Sequence, residues 1–261
     1  MRADAVRSAI SEARSVWETV GERGSPSVGP IVVSGVLADP LARQLAAGAE
    51  PGAVLVGGGI EPGSAEVAVH VVAGEPTDAD AAYVHSADAV DVPVVLVQLW
   101  PQEDWTRPFV LSPFVVECRP GEGFPLDEIA ARIAEAAEHA PALAARVPTL
   151  RKAVGRRLLR GTVARTAALG ALGAGVRPRI TLEQIGLLKQ LRAATPGREG
   201  DGTSTAAAIA AGALASGLAF RAAVRGRRPG LAARAAGAAA AAAGTLALAE
   251  ALKRARERSL L

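Results

Sequence analysis

The side chains able to do chemistry are few and scattered. In 261 residues there are three histidines (His70, His85, His139), one cysteine (Cys118) and a short acidic run, Glu75, Asp78 and Asp80. His70 falls inside the apolar run Val69-His-Val71, where a core or edge histidine with satisfied nitrogens is expected rather than a catalytic base. His85 and His139 fall on expected helices, with no partner that spacing identifies. Cys118 closes a β-branched run without a companion cysteine, so it reads as a small buried hydrophobe. The three acids could hold a cation, but a solvated helix start enriched in acid explains them without one. Gly57-Gly58-Gly59 could turn backbone N–H groups toward a phosphate, though a tight turn is the simpler use of three glycines. No Ser/His/Asp set assembles from spacing alone. Catalytic residues, metal ligands and cofactors are therefore expected to be absent, and the chain is not expected to be an enzyme. Trp100 and Trp105 flank Pro101-Gln-Glu-Asp104, where they would either cover strand ends or anchor a partner.

The elements around these residues fall into two kinds. Short β-branched runs at Ile31–Ser34, Ala53–Val56, Val67–Val72, Val94–Val97 and Phe114–Cys118 read as buried strands. Helical stretches at about Pro40–Ala47, Asp78–Ala89 and Leu126–Ala137 alternate with them, which predicts a parallel sheet covered on both faces. Ahead of the sheet, Val6, Ile10, Ala13, Trp17 and Val20 form an apolar seam on one helix face. After Pro148 the strand signals stop. Helices are expected at Leu150–Leu172, from the capping box Thr181-x-x-Gln184 to Ala194, and over the Ala-rich stretches Ser204–Val224 and Leu231–Arg258. The domains implied are an amphipathic helix at 1–24, an α/β domain at 25–145 and an all-helical domain at 146–261.

The first strand–loop–helix junction, Ser34-Gly35-Val-Leu-Ala-Asp39-Pro40-Leu41-Ala42, looks like a P-loop whose GxxxxGK[ST] pattern would begin at Gly35. Phosphate binding there needs a glycine, a lysine and a hydroxyl, and this chain has Pro40, Leu41 and Ala42 instead. Ala65 to Asp78 resembles the fourth strand of small GTPase domains and the turn after it. Val92-Pro-Val-Val-Leu-Val-Gln98-Leu99-Trp-Pro101 resembles the strand leading into the guanine-specifying NKxD motif, with Gln98, Leu99 and Pro101 in place of Asn, Lys and Asp. Val115 to Ile129 resembles the last strand, loop and helix of that domain, whereas Gly48 to Ala65 is too short for complete switch regions. Pro148-Thr-Leu-Arg151, Ile180-Thr-Leu-Glu-Gln184 and Gly244-Thr245 are similar to the helical tail that follows many bacterial GTPase domains. The resemblance covers about residues 30–255. It implies a GTPase-derived chain, and its departures imply a pseudo-GTPase without nucleotide hydrolysis.

Charge divides at the same place. Residues 1–145 hold 8 basic and 21 acidic residues, a net charge of −13, and residues 146–261 hold 21 basic and 5 acidic, a net charge of +16. The basic half could face anionic lipid or the acidic half of another copy, or simply solvate helices. It contains one aromatic residue, Phe220, so it offers no stacking platform for nucleic acid. Its Ala-rich helices have uncharged runs of 17 and 15 residues, at or below the length that spans a bilayer. Arg225, Arg227 and Arg228 in the link between them would strand a basic cluster outside the cell if the pair spanned it. Gly230, Gly237 and Gly244 recur every seven residues, a seam for close helix approach. The function expected is a non-catalytic scaffold or regulatory module working through a protein partner or its own copies, in the cytoplasm or at the inner face of the membrane. An integral membrane protein with a cytoplasmic pseudo-GTPase cap, and a nucleotide binder using Gly35 and Gly57–Gly59 without a lysine, are the rival readings.

Overall fold

The computed structural model describes residues 28–57, 64–101, 114–172, 177–194 and 230–259. The expected N-terminal helix, Gly58-Gly59, Trp105, the expected helix over Ser204–Val224, and Arg225, Arg227 and Arg228 lie outside the described residues.

Five strands form one parallel sheet: β1 (Ile31–Gly35), β2 (Val54–Val56), β3 (Val67–Ala73), β4 (Val94–Leu99) and β5 (Val115–Cys118), in the order β2-β1-β3-β4-β5. The register aligns Val33 with Val56 and Val69, Ser34 with His70, Val69 with Val95, and Gln98 with Glu117. The helices that follow the strands are α1 (Ala38–Leu45), α2 (Asp78–Asp88) and α3 (Leu126–Ala136). Side chains alternate along each strand, so Ile31, Val33, Val69, Val71, Val95 and Val97 share a core with α1 and α3, built on Leu41, Leu45, Ile129 and Ile133. On the other face Ala68 packs with Tyr83 and Ala87 of α2.

α1 begins two residues before the expected start. Pro40 is accommodated in its first turn, where the missing N–H has no intrahelical partner to lose. Two further helices extend the core: α4 (Ala140–Arg146), which the sequence pattern did not predict, and α5 (Arg151–Ala171), joined by a 3-10 turn at Pro148–Leu150. Leu143, Val147, Leu150 and Val154 are fully buried in the same cluster as the sheet. Arginines fasten the junction by capping helix ends. Arg157 donates to the Ala134 and Ala137 carbonyls at the end of α3, and Arg151 to those of Ala144 and Ala145 at the end of α4. His139 is not within a helix but at the N-cap of α4, where its N–H donates to the Glu66 carboxylate at 2.6 Å.

Beyond the junction, α5 packs on α6 (Arg177–Ala193) and α7 (Leu231–Ser259). Thr181 lies one turn inside α6 and does not cap it; Pro178 in the first turn is the start signal that applies. A Cβ at Gly170 would strike the Gly237 backbone, so α5 and α7 approach to near backbone contact there. Around Gly230 no described residue would come within 4 Å of a Cβ. Thr245 accepts from the Gln184 amide at 3.1 Å, lies 3.1 Å from the Thr166 hydroxyl, and donates to the Ala241 carbonyl, all in a buried setting. This network fixes α5, α6 and α7 in one register.

Candidate functional site

In an open parallel sheet, ligands enter at the carboxyl ends of the strands, where successive connections leave in opposite directions. Here that point lies between β1 and β3. Gly35 ends β1 with φ +89°, and Val36 N–H donates to the Val71 carbonyl at 2.9 Å. A side chain at Gly35 would collide with that carbonyl, so glycine is required here by the closeness of two strands.

The connection from β1 to α1 is only Val36 and Leu37. Of the degenerate phosphate-loop positions, Leu41 and Ala42 are buried in the core against the sheet, and Pro40 is partly covered in the first helical turn. At the base-motif positions, Gln98 is fully buried with its amide 3.5 Å from the Gly74 carbonyl, Leu99 is buried in the core, and Pro101 is partly covered. Leu41, Ala42, Gln98 and Leu99 thus all face the interior, and Pro40 and Pro101 are partly exposed.

The same end of the sheet holds a polar array. The Ser34 hydroxyl lies 2.8 Å from His70 Nδ1, and His70 Nε2 lies 2.7 Å from Asp80 Oδ1. The register aligns Ser34 beside His70, and α2 brings Asp80 over them at its N-terminus. Asp80 also completes a capping box: its other oxygen accepts from the Thr77 N–H at 2.8 Å and hydroxyl at 2.7 Å, while Thr77 caps the Asp80 N–H. Burial pushes the Asp80 carboxyl up, but the bonds from Thr77 and the His70 ring outweigh it and hold the group below its ordinary 3.8. An ionised Asp80 accepts only, so His70 Nε2–H donates to it, while Nδ1 pairs with the Ser34 hydroxyl. Tyr83 stacks on the ring at 4.4 Å. Burial raises its phenol above the ordinary 10.0, the neighbouring Ser34 hydroxyl offsets part of that, and the buried oxygen makes no hydrogen bond of normal geometry among the described residues.

The polarity of this array, hydroxyl to imidazole to carboxylate, is that of a nucleophile and its base, with the two ring nitrogens used in the opposite order to the serine-protease arrangement. Ser34 and His70 are 3% and 5% exposed, so the hydroxyl is withheld from solvent and the array acts as a strut between the sheet and α2. The Cys118 thiol is likewise buried, and burial with Glu128 and Glu122 nearby pushes it up to about 11.

What the edge does present is apolar. Val36, Leu37, Val56 and Trp100 are 48–50% exposed along it. Leu37 and Trp100 hold left-handed backbone, at φ 56° and 55°, which is uncommon for large side chains and costs on the order of 1–3 kcal/mol each. The exposed acids Asp39, Glu75 and Asp78 border them. The chain matches no protein-family model, curated protein or solved structure.

Three features escaped the sequence reading. The Ser34–His70–Asp80 array joins residues 36 and 10 positions apart, and only the strand register reveals it. The pairing of His139 with Glu66 spans 73 positions. The strained backbone at Leu37 has no sequence signal, since leucine does not mark a left-handed turn.

Proposed function

We propose that this chain is a GTPase-derived module that has given up nucleotide chemistry and works as a scaffold through protein contacts at the carboxyl edge of its sheet. The observation that carries the reading is the β1–α1 connection. Two residues cannot wrap a phosphate, and the side chains at the lysine and hydroxyl positions, Leu41 and Ala42, are committed to the core. The strand order among the described residues is compatible with a GTPase sheet without its antiparallel strand, in keeping with the short Gly48–Ala65 segment. An edge of half-exposed Val36, Leu37, Val56 and Trp100 suits a protein surface better than a phosphate.

Calorimetric titration of the full chain with GTP and GDP, with and without Mg²⁺, tests this. No binding up to about 1 mM is expected. Micromolar, Mg²⁺-dependent binding would overturn the reading and favour the lysine-free nucleotide binder.

A second reading, contact with an anionic membrane surface, is favoured by α7. Leu231–Glu250 is 20 residues of mean hydropathy 1.4, long and apolar enough to cross a bilayer, and only 22% of it is buried. Counted with Arg234 and Glu250 it is longer than its uncharged run suggested. Its packing argues for lying on a surface rather than spanning. Near the Thr166–Thr245 contact α5 carries Arg165, paired with Glu183 of α6, and insertion would draw in charges costing about 2.5–3.5 kcal/mol each. Carbonate washing of membranes separates the cases: release supports surface contact, and retention supports the integral protein.

A further inference from the structure

The three helices beyond the junction come level at one end. A Cβ at Gly155 of α5 would lie 3.7 Å from Leu191 of α6, and Leu191 shares an apolar cluster with Leu188 and with Leu248 of α7. Further along, Thr166 of α5 meets Thr245 and Gly170 meets Gly237, so α7 runs antiparallel to α5. The part of α7 beyond Leu248 therefore lies at the end of the bundle where α5 begins. Cations collect there. α5 places Lys152, Arg156 and Arg160 on one exposed row, α6 adds exposed Arg192, and residues 253–259 of α7 hold four basic residues and one acid.

The chain's own acids do not balance them. Asp127 pairs with Lys152 at 2.7 Å and also feels the Arg156 charge, and Glu250 pairs with Arg254 at 3.1 Å. Glu128 and Glu135 of α3 are taken by Arg132. Arg160 and Arg192 make no ion pair among the described residues. Like charges four residues apart on one helix row repel each other, and Lys152, Arg156 and Arg160 form two such pairs. The excess does not depend on where the remaining residues lie. Residues 195–229, which follow α6 at this end, hold five basic and two acidic residues, and residues 1–27 hold four of each. Taken whole, the first stretch adds positive charge and the second adds none.

We infer that this end of the bundle docks on the anionic headgroups of a phospholipid surface, with Arg156 and Arg160 of α5 among the contacts. This rests on the membrane-surface reading given above and names the face and the lipid chemistry. α7 selects lipid over another protein. Its basic turns follow directly on its apolar stretch Leu231–Glu250, so cations can meet headgroup phosphates while apolar residues meet the acyl boundary. Arginine suits the contact, because its planar guanidinium can bond two phosphate oxygens at once.

Co-sedimentation of the full chain with vesicles tests the inference, using phosphatidylcholine alone and phosphatidylcholine with about 30% phosphatidylglycerol. Binding is expected only to the anionic vesicles at about 0.1 M salt, with release at about 0.5 M. Arg156→Glu with Arg160→Glu should weaken it at least ~10-fold while keeping wild-type circular dichroism. Arg156→Lys with Arg160→Lys keeps the charge and should bind within ~3-fold of wild type, which separates charge from misfolding. Arg179→Glu with Arg234→Glu removes the same charge near the starts of α6 and α7, and should weaken binding less than ~3-fold. Equal weakening by the two reversals, equal binding to neutral vesicles, or undiminished binding by the Arg156 and Arg160 reversal overturns the inference and leaves the membrane reading standing. Binding to neither vesicle overturns both. Salt-sensitive assembly of the chain without vesicles would then make the acidic half of a second copy the partner.

Discussion

His70 Nε2 lies 2.7 Å from Asp80 Oδ1, and this contact joins β3 to the first turn of α2. The same carboxylate caps its own helix, so one side chain serves both secondary structure and tertiary packing.

Asp80→Ala removes the capping box and leaves a buried imidazole N–H without an acceptor. Together these should lower stability by about 2–4 kcal/mol in urea unfolding. An unchanged midpoint would show that α2 is held by apolar packing alone.

The depressed Asp80 carboxyl also sets a pH dependence. Its contribution is fully present above its ordinary value of 3.8 and is lost as pH falls through its lower folded value. Unfolding curves for wild type and Asp80→Asn should therefore converge on acidification below that point. Parallel curves throughout would remove Asp80 from the acid response.

Leu37→Gly tests the strain at the sheet edge. Glycine adopts φ 56° freely and is tolerated at an N-cap, so the variant should gain about 1 kcal/mol and melt a few degrees higher. Lower stability would mean that the Leu37 side chain holds the fold.

Thr245→Val keeps the shape and deletes the hydroxyl shared by Thr166 and Gln184. Chemical denaturation should register a loss of about 1–3 kcal/mol, confined to the helical region. A neutral result would mean that small-residue packing alone sets the helix register.

Gly170→Ala forces a methyl group against the Gly237 backbone. A drop of about 1–3 kcal/mol is expected, with signals from the sheet unchanged. An equal loss in both regions would show that they unfold as one unit.

The strands were legible to within two residues because β1, β3 and β4, buried on both faces, read as unbroken β-branched runs, and β2 shares that composition although Leu55 and Val56 are about half exposed. α4 was not, since Ala140–Arg146 is too short to show a period, although Pro141 in its first turn is a start signal of the same kind as Pro178. Thr181 misled because a capping pattern is local, whereas Pro178 already accounts for the start of α6. The phosphate-loop positions were readable as chemistry but not as geometry. Sequence shows that Leu41 is not lysine, while only the fold shows that it has become part of the core. His70 was expected to be satisfied, and it is, but its partners come from β1 and α2 through register that no spacing encodes.

Val147, Leu150 and Val154 close the core that Ile31 begins, and Arg146 and Thr149 reach back to the Val28 and Leu45 carbonyls. On the ribosome, then, the sheet can line up its strands but cannot seal until Val154, and last of all Ala194, has cleared the exit tunnel. For the time it takes to translate the intervening stretch, the nascent chain carries an open apolar flank, and holding chaperones have their opportunity in that interval.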